Sequence, residues 1–430
     1  MSGHSLPPAR LATAPLPTEG SVTVRLAVAD GAIRRATVAS RRPRAVAALV
    51  GRTPDEAVRL APLLFSLCGT AQGLAVARAC EAALGLDAGA HETARALLTD
   101  AEALESHGWQ AVVEWPARLG QSPRPADLRD LRAATAAVAA ALYPGKDALR
   151  LGGGALRPDA AALREALARM TGWLEQRVFA GSAPQDADAL AAWAARGGCD
   201  AARLAARLLE PALAGWGACG VPALAERSPD WFAAALAADP GFAARPRCHG
   251  APAHTGPLER QAGHPLVRSV TERHGDGLAR LFAARLADLA ELPRRMAAAV
   301  AALDAADPVE QRSAHGPGSG GGVAETARGR LAHWVRLDGD GRLADARMVA
   351  PTDWNFAADG PLACGLGDMP TGGGDGDAVE RARLLVAMLD PCVACTITVD
   401  DADTLENTTD DARDGGRMTG DATRDEREVE

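Results

Sequence analysis

The sequence predicts a mainly α-helical protein with two small β-hairpins, which is an α+β fold. Hydrophobic residues make up 47% of the 430 residues but aromatic residues only 3%. Alanine supplies much of the hydrophobic share, and it has the highest intrinsic helix propensity. Apolar residues recur at helical spacing over long stretches between residues 53 and 306. Two short stretches, one towards each end of the chain, have residues typical of strands on both sides of turn-forming residues.

The first hairpin is predicted at residues 21–45, after a Pro-rich N-terminus (1–20) that is expected to be disordered. Apolar residues alternate with polar residues from Val22 to Val28, and the pattern returns from Ile33 to Val38. Between them, Asp30-Gly31 is a dipeptide that favours a two-residue hairpin turn.

Residues 46–310 are predicted to form a helical bundle that carries the first cysteine motif. Thr53 is a good N-cap and Pro54 suits the first helical position, so a helix should begin there and run to Cys68. A second helix is expected over 72–84, ending at Gly85. Further helices are predicted over 91–118, 126–142, 158–178, 185–215 and 277–306.

The glycine-rich stretch His315–Gly322 is predicted to be part of a flexible linker, residues 311–323. No predicted strand precedes it and no Lys-Ser/Thr pair follows it, which argues against a phosphate-binding loop. The next segment, 324–399, is expected to pack on the bundle. It contains a second hairpin (Gly329–Leu337 and Leu343–Ala350) and an amphipathic helix (Ala378–Leu389) that leads into a cysteine pair.

The charge pattern and the hydropathy exclude several classes of protein. From Thr396 onwards there are 12 acidic and 4 basic residues, a net charge of −8 out of the formal −9. The acidic tail, 400–430, is predicted to be disordered. No basic patch suggests nucleic-acid binding, and no apolar run approaches the roughly 18 residues of a membrane helix. We therefore expect a cytoplasmic protein that binds neither nucleic acid nor membrane.

The most informative motif is Asp390-Pro391-Cys392-Val393-Ala394-Cys395. Two thiols at this spacing can bind one soft metal from a helical turn or a tight loop. Asp-Pro also favours a helix start, where the helix dipole lowers the pKa of a thiol. From the spacing alone, a redox dithiol, a zinc site and a chance pair remain open. The other six cysteines are scattered singly, so reduced thiols are expected rather than a disulfide framework.

Several separate blocks resemble the large subunits of nickel-iron hydrogenases. Asp390–Cys395 resembles their DPCxxC motif, and Leu67–Ala71 resembles their upstream RxCGxC motif. Gly51–Ala57 resembles GRxPxDA, and Cys80–Gly85 resembles the helix after the first cysteine motif. Gly250–Leu258 resembles GxPxEVGPL, Glu325–Trp334 resembles EAPRGxLxHW, and Pro351–Asn355 resembles PTTWN. The resemblance spans about residues 21–399 and implies the large-subunit fold.

In that family, four cysteines hold nickel, and two of them bridge to an iron that carries carbon monoxide and cyanide. Cys68, Cys392 and Cys395 match three of these ligands, but Ala71 stands at the fourth position. Because a methyl group cannot coordinate a metal, the resemblance does not extend to the complete bimetallic site. Thr398 stands where the family has a histidine that serves as a magnesium ligand, so no magnesium is expected.

Other family positions are lost as well, whereas the groups around the iron ligands are retained. Ser66, Ala75 and Val46 stand where the family has arginine, histidine and glutamate. In contrast, Arg328 matches the arginine that caps the diatomic ligands, and its guanidinium can donate hydrogen bonds to cyanide. Asp390 matches the aspartate of the motif.

This combination is similar to the accessory proteins of the HupK and HoxV type. The resemblance implies a scaffold that holds an iron-carbonyl-cyanide unit transiently and passes it to the catalytic large subunit. Cys392 and Cys395 would chelate the iron, Cys68 would be an exchangeable third thiolate, and Arg328 would orient cyanide. The implied partners are the hydrogenase large subunit and small metallocentre-assembly chaperones. Iron is the expected metal, and nickel is the weaker expectation.

Two other interpretations remain open. A divergent hydrogenase catalytic subunit would be an enzyme, whereas a metal-free docking protein would keep only the fold. Simpler roles also compete for single residues, since Cys68 alone would be a buried packing cysteine. Cys248 with the histidines that follow it could bind zinc, but irregular spacing favours solvated histidines.

Overall fold

The computed structural model describes residues 20–41, 45–225, 227–303, 312–316 and 318–400. The two segments predicted to be disordered, 1–20 and 400–430, therefore lie almost wholly outside the described residues. The helices are α1 (Pro54–Leu64), α2 (Gly69–Leu84), α3 (Glu92–Trp109), α4 (Trp115–Arg118), α5 (Arg129–Leu142), α6 (Ala160–Leu174), α7 (Ala187–Arg196), α8 (Asp200–Leu208), α9 (Pro229–Ala238), α10 (Pro257–Gln261), α11 (Pro265–His274), α12 (Leu278–Ala301), α13 (Pro351–Asn355), α14 (Pro361–Leu366) and α15 (Asp375–Leu389). The strands are β1 (Ser21–Ala29), β2 (Ala32–Arg41), β3 (Arg312–Ala314), β4 (Ser319–Thr326), β5 (Gly329–Leu337), β6 (Leu343–Val349), β7 (Met369–Pro370) and β8 (Ala394–Asp400).

The main core is helical, as predicted. Its longest helix, α12, has 24 residues and packs against α3, α6 and α15. The apolar residues of α12 recur at helical spacing, so that one broad face, including Phe282 and Leu286, is fully buried. The stretch predicted as one helix over 185–215 contains two helices. The first of them ends at Gly197, which is in the left-handed conformation that a C-terminal cap favours.

Helix α1 starts as the sequence predicted. The backbone N–H of Glu56 donates to the Thr53 hydroxyl at 3.3 Å, and the backbone N–H of Thr53 donates to the Glu56 carboxylate at 2.9 Å. These two bonds form a capping box, with Pro54 at the first helical position. Helix α1 stops at Leu64, and α2 begins at Gly69 rather than at residue 72. Cys68 is therefore the N-cap residue of α2 and not part of α1.

The first sheet has the strand order β7-β2-β1-β8. The predicted hairpin of β1 and β2 is confirmed, and both turn residues, Asp30 and Gly31, have positive φ angles as a tight hairpin turn requires. The sequence did not predict that β8 runs parallel to β1 with Cys395 opposite Val22. This pairing places the second cysteine motif beside the N-terminal hairpin.

The second sheet has the order β3-β4-β5-β6 and contains the predicted hairpin of β5 and β6. The predicted flexible linker, 311–323, was wrong for its glycine run, because Gly320, Gly321 and Gly322 lie in the buried strand β4. A Cβ atom on Gly320 would lie 2.5 Å from the Ala79 carbonyl oxygen of α2. Glycine is required here because the strand and the helix touch backbone to backbone.

No single helix among the described residues has both the length and the hydropathy that a membrane span requires. One strongly bent pair, Pro54–Leu64 with Ser66–Leu84, meets it by length and composition alone.

Candidate functional site

The two cysteine motifs meet at a cavity of about 430 Å³. Cys68 and Cys392, which are 324 residues apart in sequence, both line it, and so does Arg328. The remaining wall comes from the α1–α2 connection, the end of α3 and the turn that follows α15. It is lined by Gly20, Ala45, Leu64, Phe65, Ser66, Leu67, Gln72, Trp109, Glu114, Pro391, Val393 and Ala394.

Cys68 lies at the N-terminus of α2, where polar groups fix its surroundings. The Gln72 side-chain amide donates to its Sγ atom at 3.6 Å. The Glu102 carboxylate accepts the backbone N–H groups of Thr70 and Ala71 at 2.7 and 3.0 Å, which are the donors that would otherwise favour a thiolate. Burial, the neighbouring Cys392 and Glu102 together raise the pKa of Cys68 to about 12. At neutral pH this group is a thiol until a cation replaces its proton.

Cys392 lies in the turn between α15 and β8. The sequence motif predicted a helix start at this point, but Asp390 ends α15 in the left-handed conformation and no helix N-terminus follows. Thr352 holds the turn instead. Its hydroxyl donates to Cys392 Sγ at 3.1 Å and accepts the Cys392 backbone N–H at 3.2 Å.

Cys395 does not join the other two thiols. It is the second residue of β8, where alternate side chains point to opposite faces, and its face packs against the main core together with Ile397 and Val399. Among the described residues that line the cavity, Pro391, Val393 and Ala394 are present but Cys395 is not. Burial raises the pKa of Cys395 to about 11. The expectation that all three sulfur atoms meet in one cavity is therefore wrong for this residue.

Arg328 is held by a buried ion pair. Its Nε atom lies 3.1 Å from Asp390 Oδ2, and its Nη1 atom donates to the Ser106 hydroxyl at 3.1 Å. A second guanidinium, that of Arg285, lies 3.5 Å from the same Asp390 carboxylate and also bonds Gln110 and the Met388 carbonyl. Arg328 and Asp390, which the resemblance named separately, are thus joined by an ion pair, and of the two only Arg328 lines the cavity.

These groups leave positive charge beside the two thiols. Arg328 and Arg285 face the single carboxylate of Asp390. The pKa of Glu114, the carboxyl group that lines the cavity, is raised by its burial and the nearby Asp390, and burial also raises the pKa of Glu102. Burial opposes the charge on Arg285 and lowers its pKa, although Asp390 works against that effect. The cavity is therefore suited to an anionic ligand.

The position of the absent fourth cysteine is closed. Ala71 is fully buried in a small cluster with Ala75, Ala324 and Leu331, where α2 meets the second sheet. The methyl group fills this space, and no part of Ala71 lines the cavity.

The cavity has few side chains that could coordinate a metal ion. Across the part of the chain that the structure describes, no three His, Cys, Asp or Glu side chains are placed to hold a metal ion. A bare transition-metal ion usually takes four or more ligands. The cavity offers two thiols, which is fewer than the ligands of a bare ion.

The histidines predicted to be solvated differ among themselves. His249 is exposed. His254 pairs with Ala223 in an isolated β-bridge and is buried, and this burial lowers the pKa of His254 to about 4. The expectation of solvated histidines is therefore wrong for His254. No disulfide joins any of the eight cysteines, all of which lie among the described residues.

Comparisons with known proteins show the family to which the chain is related. A family model described as nickel-dependent hydrogenase matches residues 271–398. The hydrogenase expression/formation protein HupK of Rhizobium leguminosarum bv. viciae is 32% identical over 406 residues, covering 89% of this chain and 97% of that protein. The hydrogenase expression/formation protein HoxV of Cupriavidus necator is 30% identical, covering 84% and 92%.

This chain belongs to the HupK/HoxV family of hydrogenase expression/formation proteins. A solved structure with the same fold is the nickel-iron-selenium hydrogenase of Desulfomicrobium baculatum in its reduced, active form. It superposes with a TM-score of 0.60 at 15% sequence identity, covering 85% of this chain and 95% of that one. The HupK/HoxV chain thus has the fold of the hydrogenase large subunit, as the sequence predicted.

Sequence reasoning missed several residues of this HupK/HoxV site. Thr352 lies in the Pro351–Asn355 block, so the resemblance marked its neighbourhood but not its contact with Cys392. Gln72 is one helical turn after Cys68, a spacing that could have indicated the contact. Arg285 is one of several arginines in α12, and no sequence signal distinguishes it from the others.

Proposed function

We propose that this chain is a non-enzymatic, cytoplasmic scaffold for hydrogenase maturation. Its cargo would be an iron atom that already carries carbon monoxide and cyanide. The chain would hold this unit transiently and then pass it to the hydrogenase large subunit, with small metallocentre-assembly chaperones as further partners. Membership of the expression/formation family supports the role in maturation, and the cavity supports the nature of the cargo.

The observation that carries the proposal is that Cys68 and Cys392 line one cavity with Arg328. Thiolates are the preferred protein ligands of low-valent iron. An iron that brings diatomic ligands needs fewer protein ligands than a bare ion, so two thiolates complete a plausible coordination shell. Arg328 presents N–H donors at the same cavity, and a guanidinium can hydrogen-bond the nitrogen of cyanide.

The charges of the site favour the same cargo. A ferrous iron carries two positive charges, and two thiolates together with cyanide outweigh them, so the bound unit carries net negative charge. Arg328 and Arg285 share one carboxylate, and this arrangement leaves positive charge to balance that of the cargo. Metal binding must also release the proton of Cys68, which makes uptake depend on a cation of high affinity for sulfur.

The closed position of Ala71 supports a scaffold rather than a catalytic subunit. A recipient with four thiolates would bind the iron more completely than a donor with two. Transfer from this chain to the large subunit would then be favourable in free energy. Cys395 faces the core in this structure, so the proposal assigns the iron to Cys68 and Cys392 and gives Cys395 no role in the resting site.

Infrared spectroscopy and metal analysis test the proposal. The full chain is purified without oxygen from a host that makes hydrogenase. The proposal predicts iron without nickel, together with carbonyl and cyanide stretching bands. Nickel with hydrogen uptake would establish the catalytic interpretation, and absence of both metals and bands would favour a metal-free docking protein.

Cysteine variants test the assignment of ligands. Cys68→Ser and Cys392→Ser should each lose the bands and most of the iron, whereas Cys395→Ser should keep them. Cys364→Ser is the matched control, because Cys364 is an exposed cysteine of α14 outside the cavity. Unchanged iron content in Cys392→Ser would overturn the proposal.

A further inference from the structure

We propose that Gln72 is a positioning residue for Cys68, and that His333 fixes the Gln72 amide so that its N–H group points at the sulfur. The three side chains form one hydrogen-bonded row from the second sheet to the cavity. The row would direct the Cys68 sulfur into the cavity. Only the part that concerns bound cargo rests on the proposed function.

The first contact of the row lies within α2. Gln72 follows Cys68 by four residues, so both side chains lie on the same face of the helix. The Gln72 Nε2 atom lies 3.6 Å from Cys68 Sγ, and Gln72 is only 1% exposed. Water therefore cannot readily replace this donor if the amide is removed.

The second contact decides which way the amide points. A glutamine side chain can present either its oxygen or its nitrogen to the sulfur, and its other partner determines the choice. Gln72 Oε1 lies 2.6 Å from His333 Nε2. If Nε2 carries the proton, the oxygen of Gln72 must face His333 and the NH₂ group must face Cys68.

The surroundings of His333 favour that tautomer. The ring is fully buried, and its Nδ1 atom has no hydrogen-bond partner among the described residues. A buried N–H group without an acceptor costs free energy. In the Nε2–H tautomer, the N–H group of His333 faces the oxygen of Gln72, so the donor has an acceptor and this cost does not arise. The edge of Phe65, whose ring centroid is 6.4 Å away, closes another side of the pocket.

The glycine run of β4 makes the row possible. His333 lies on β5, directly opposite Gly322 of β4 in the strand register. A Cβ atom on Gly322 would overlap the Ala75 carbonyl oxygen of α2. Only a strand without side chains at this point lets the second sheet approach α2 closely enough for His333 to reach Gln72.

Alkylation of the protein without cargo tests the proposal directly. Iodoacetamide reaches a sulfur atom only where that atom faces open space, so at one fixed alkaline pH the rate reports how Cys68 is presented to the cavity. The rate is followed for each cysteine by mass spectrometry of peptides. Gln72→Met keeps the length of the side chain and removes the donor, and it should slow the alkylation of Cys68 about fivefold.

Matched variants separate positioning from general damage. His333→Leu should slow Cys68 by a similar factor, whereas His333→Gln keeps an N–H donor and should restore the wild-type rate. Cys392 in the same molecules should react at its wild-type rate. Gln261→Met changes another buried glutamine that neither lines the cavity nor contacts Cys68, and it should leave Cys68 unaffected. Wild-type alkylation of Cys68 in folded Gln72→Met, or equal slowing of Cys392, would overturn the proposal.

Infrared spectra extend the test to the loaded protein. Loss of an N–H···S hydrogen bond lets the sulfur donate more electron density to iron, which lowers the carbonyl stretching frequency. Gln72→Met should therefore shift the carbonyl band to lower wavenumber, and His333→Gln should not. If wild-type protein shows no bands, the proposed function fails, while the alkylation result still decides the role of Gln72. Bands that are present but unshifted in Gln72→Met would contradict the positioning role alone.

Discussion

The two cysteine segments form two walls of one cavity, but different kinds of contact hold them. The first segment is part of α2, whose backbone touches the glycine run of β4, and Ala71 behind it is fully buried. The second segment is a turn between α15 and β8, and the Thr352 hydroxyl bonds Cys392 there. Backbone contacts thus fix one wall of the cavity, and side-chain hydrogen bonds and ion pairs fix the other.

This difference suggests how a donor site can hold a cargo and still release it. A wall built on close backbone contact cannot move without disrupting the packing of α2 on the second sheet. A turn held by one hydroxyl and one shared carboxylate can rearrange at lower cost. Weakening each wall separately and measuring the unfolding free energy tests this difference.

The largest effect is expected from Asp390→Asn, which acts on the second wall. The change leaves two buried guanidinium groups, Arg285 and Arg328, without their shared negative partner. Loss of one partner from a buried ion pair typically costs about 3–5 kcal/mol of unfolding free energy. Urea unfolding of the wild type and of Asp390→Asn measures this loss of unfolding free energy. Asp276→Asn removes an exposed partner of Arg280 and should cost less than about 1 kcal/mol. Similar effects of the two changes would contradict the role given to Asp390.

A smaller effect is expected from Gly322→Ala on the first wall. The added methyl group would meet backbone atoms of α2, which cannot move aside as the end of a side chain can. Overpacking of this kind costs about 1–3 kcal/mol. Gly339→Ala is the control, since nothing lies within 4 Å of the added methyl group there. If the two variants unfolded at the same urea concentration, α2 and β4 would not be in backbone contact.

The pH dependence of stability tests the buried end of the hydrogen-bonded row. Burial lowers the pKa of His333 to about 3, below the value of about 6.5 in the unfolded chain. The unfolded state therefore takes up a proton first, so this stabilisation is complete above pH 6.5 and is lost as the pH falls towards 3. The linkage relation gives a loss of about 2 kcal/mol between pH 7.5 and pH 5.

His333→Gln isolates this contribution, because glutamine keeps an N–H donor and does not titrate. The fall in unfolding free energy between the two pH values should be smaller by about 2 kcal/mol in this variant than in the wild type. His249→Gln, which removes an exposed histidine, should leave the fall unchanged. An equal fall in wild type and His333→Gln would show that His333 is not buried as a neutral ring.

Local sequence signals predicted the elements that depend on few residues. Asp30-Gly31 indicated a hairpin turn because few dipeptides accept two positive φ angles, and Thr53 to Glu56 indicated a helix start through a capping box. The family resemblance indicated the shared cavity of Cys68 and Cys392. That long-range contact could not be derived from spacing, because 324 residues of chain separate the two thiols.

The errors arose where tertiary contacts decide the structure. The glycines of β4 have no side-chain pattern, so the sequence alone made them look like a linker, although close packing on α2 makes them a buried strand. Pro391 was interpreted as a helix start, but the residues after Cys395 pair with β1. The β-branched run Thr396–Val399 was a signal for that strand, and with it the alternation that turns Cys395 away from the cavity.

The central claim is that Cys68 and Cys392 share one cavity from which Cys395 is turned away. A short bifunctional thiol reagent tests it most directly, since it can bridge only sulfur atoms that face the same space. Peptide mass spectrometry of the reduced protein then identifies the bridged pair. The account predicts a Cys68–Cys392 bridge that forms equally well in Cys395→Ser. A dominant Cys392–Cys395 bridge, with Cys68 left unbridged, would contradict it.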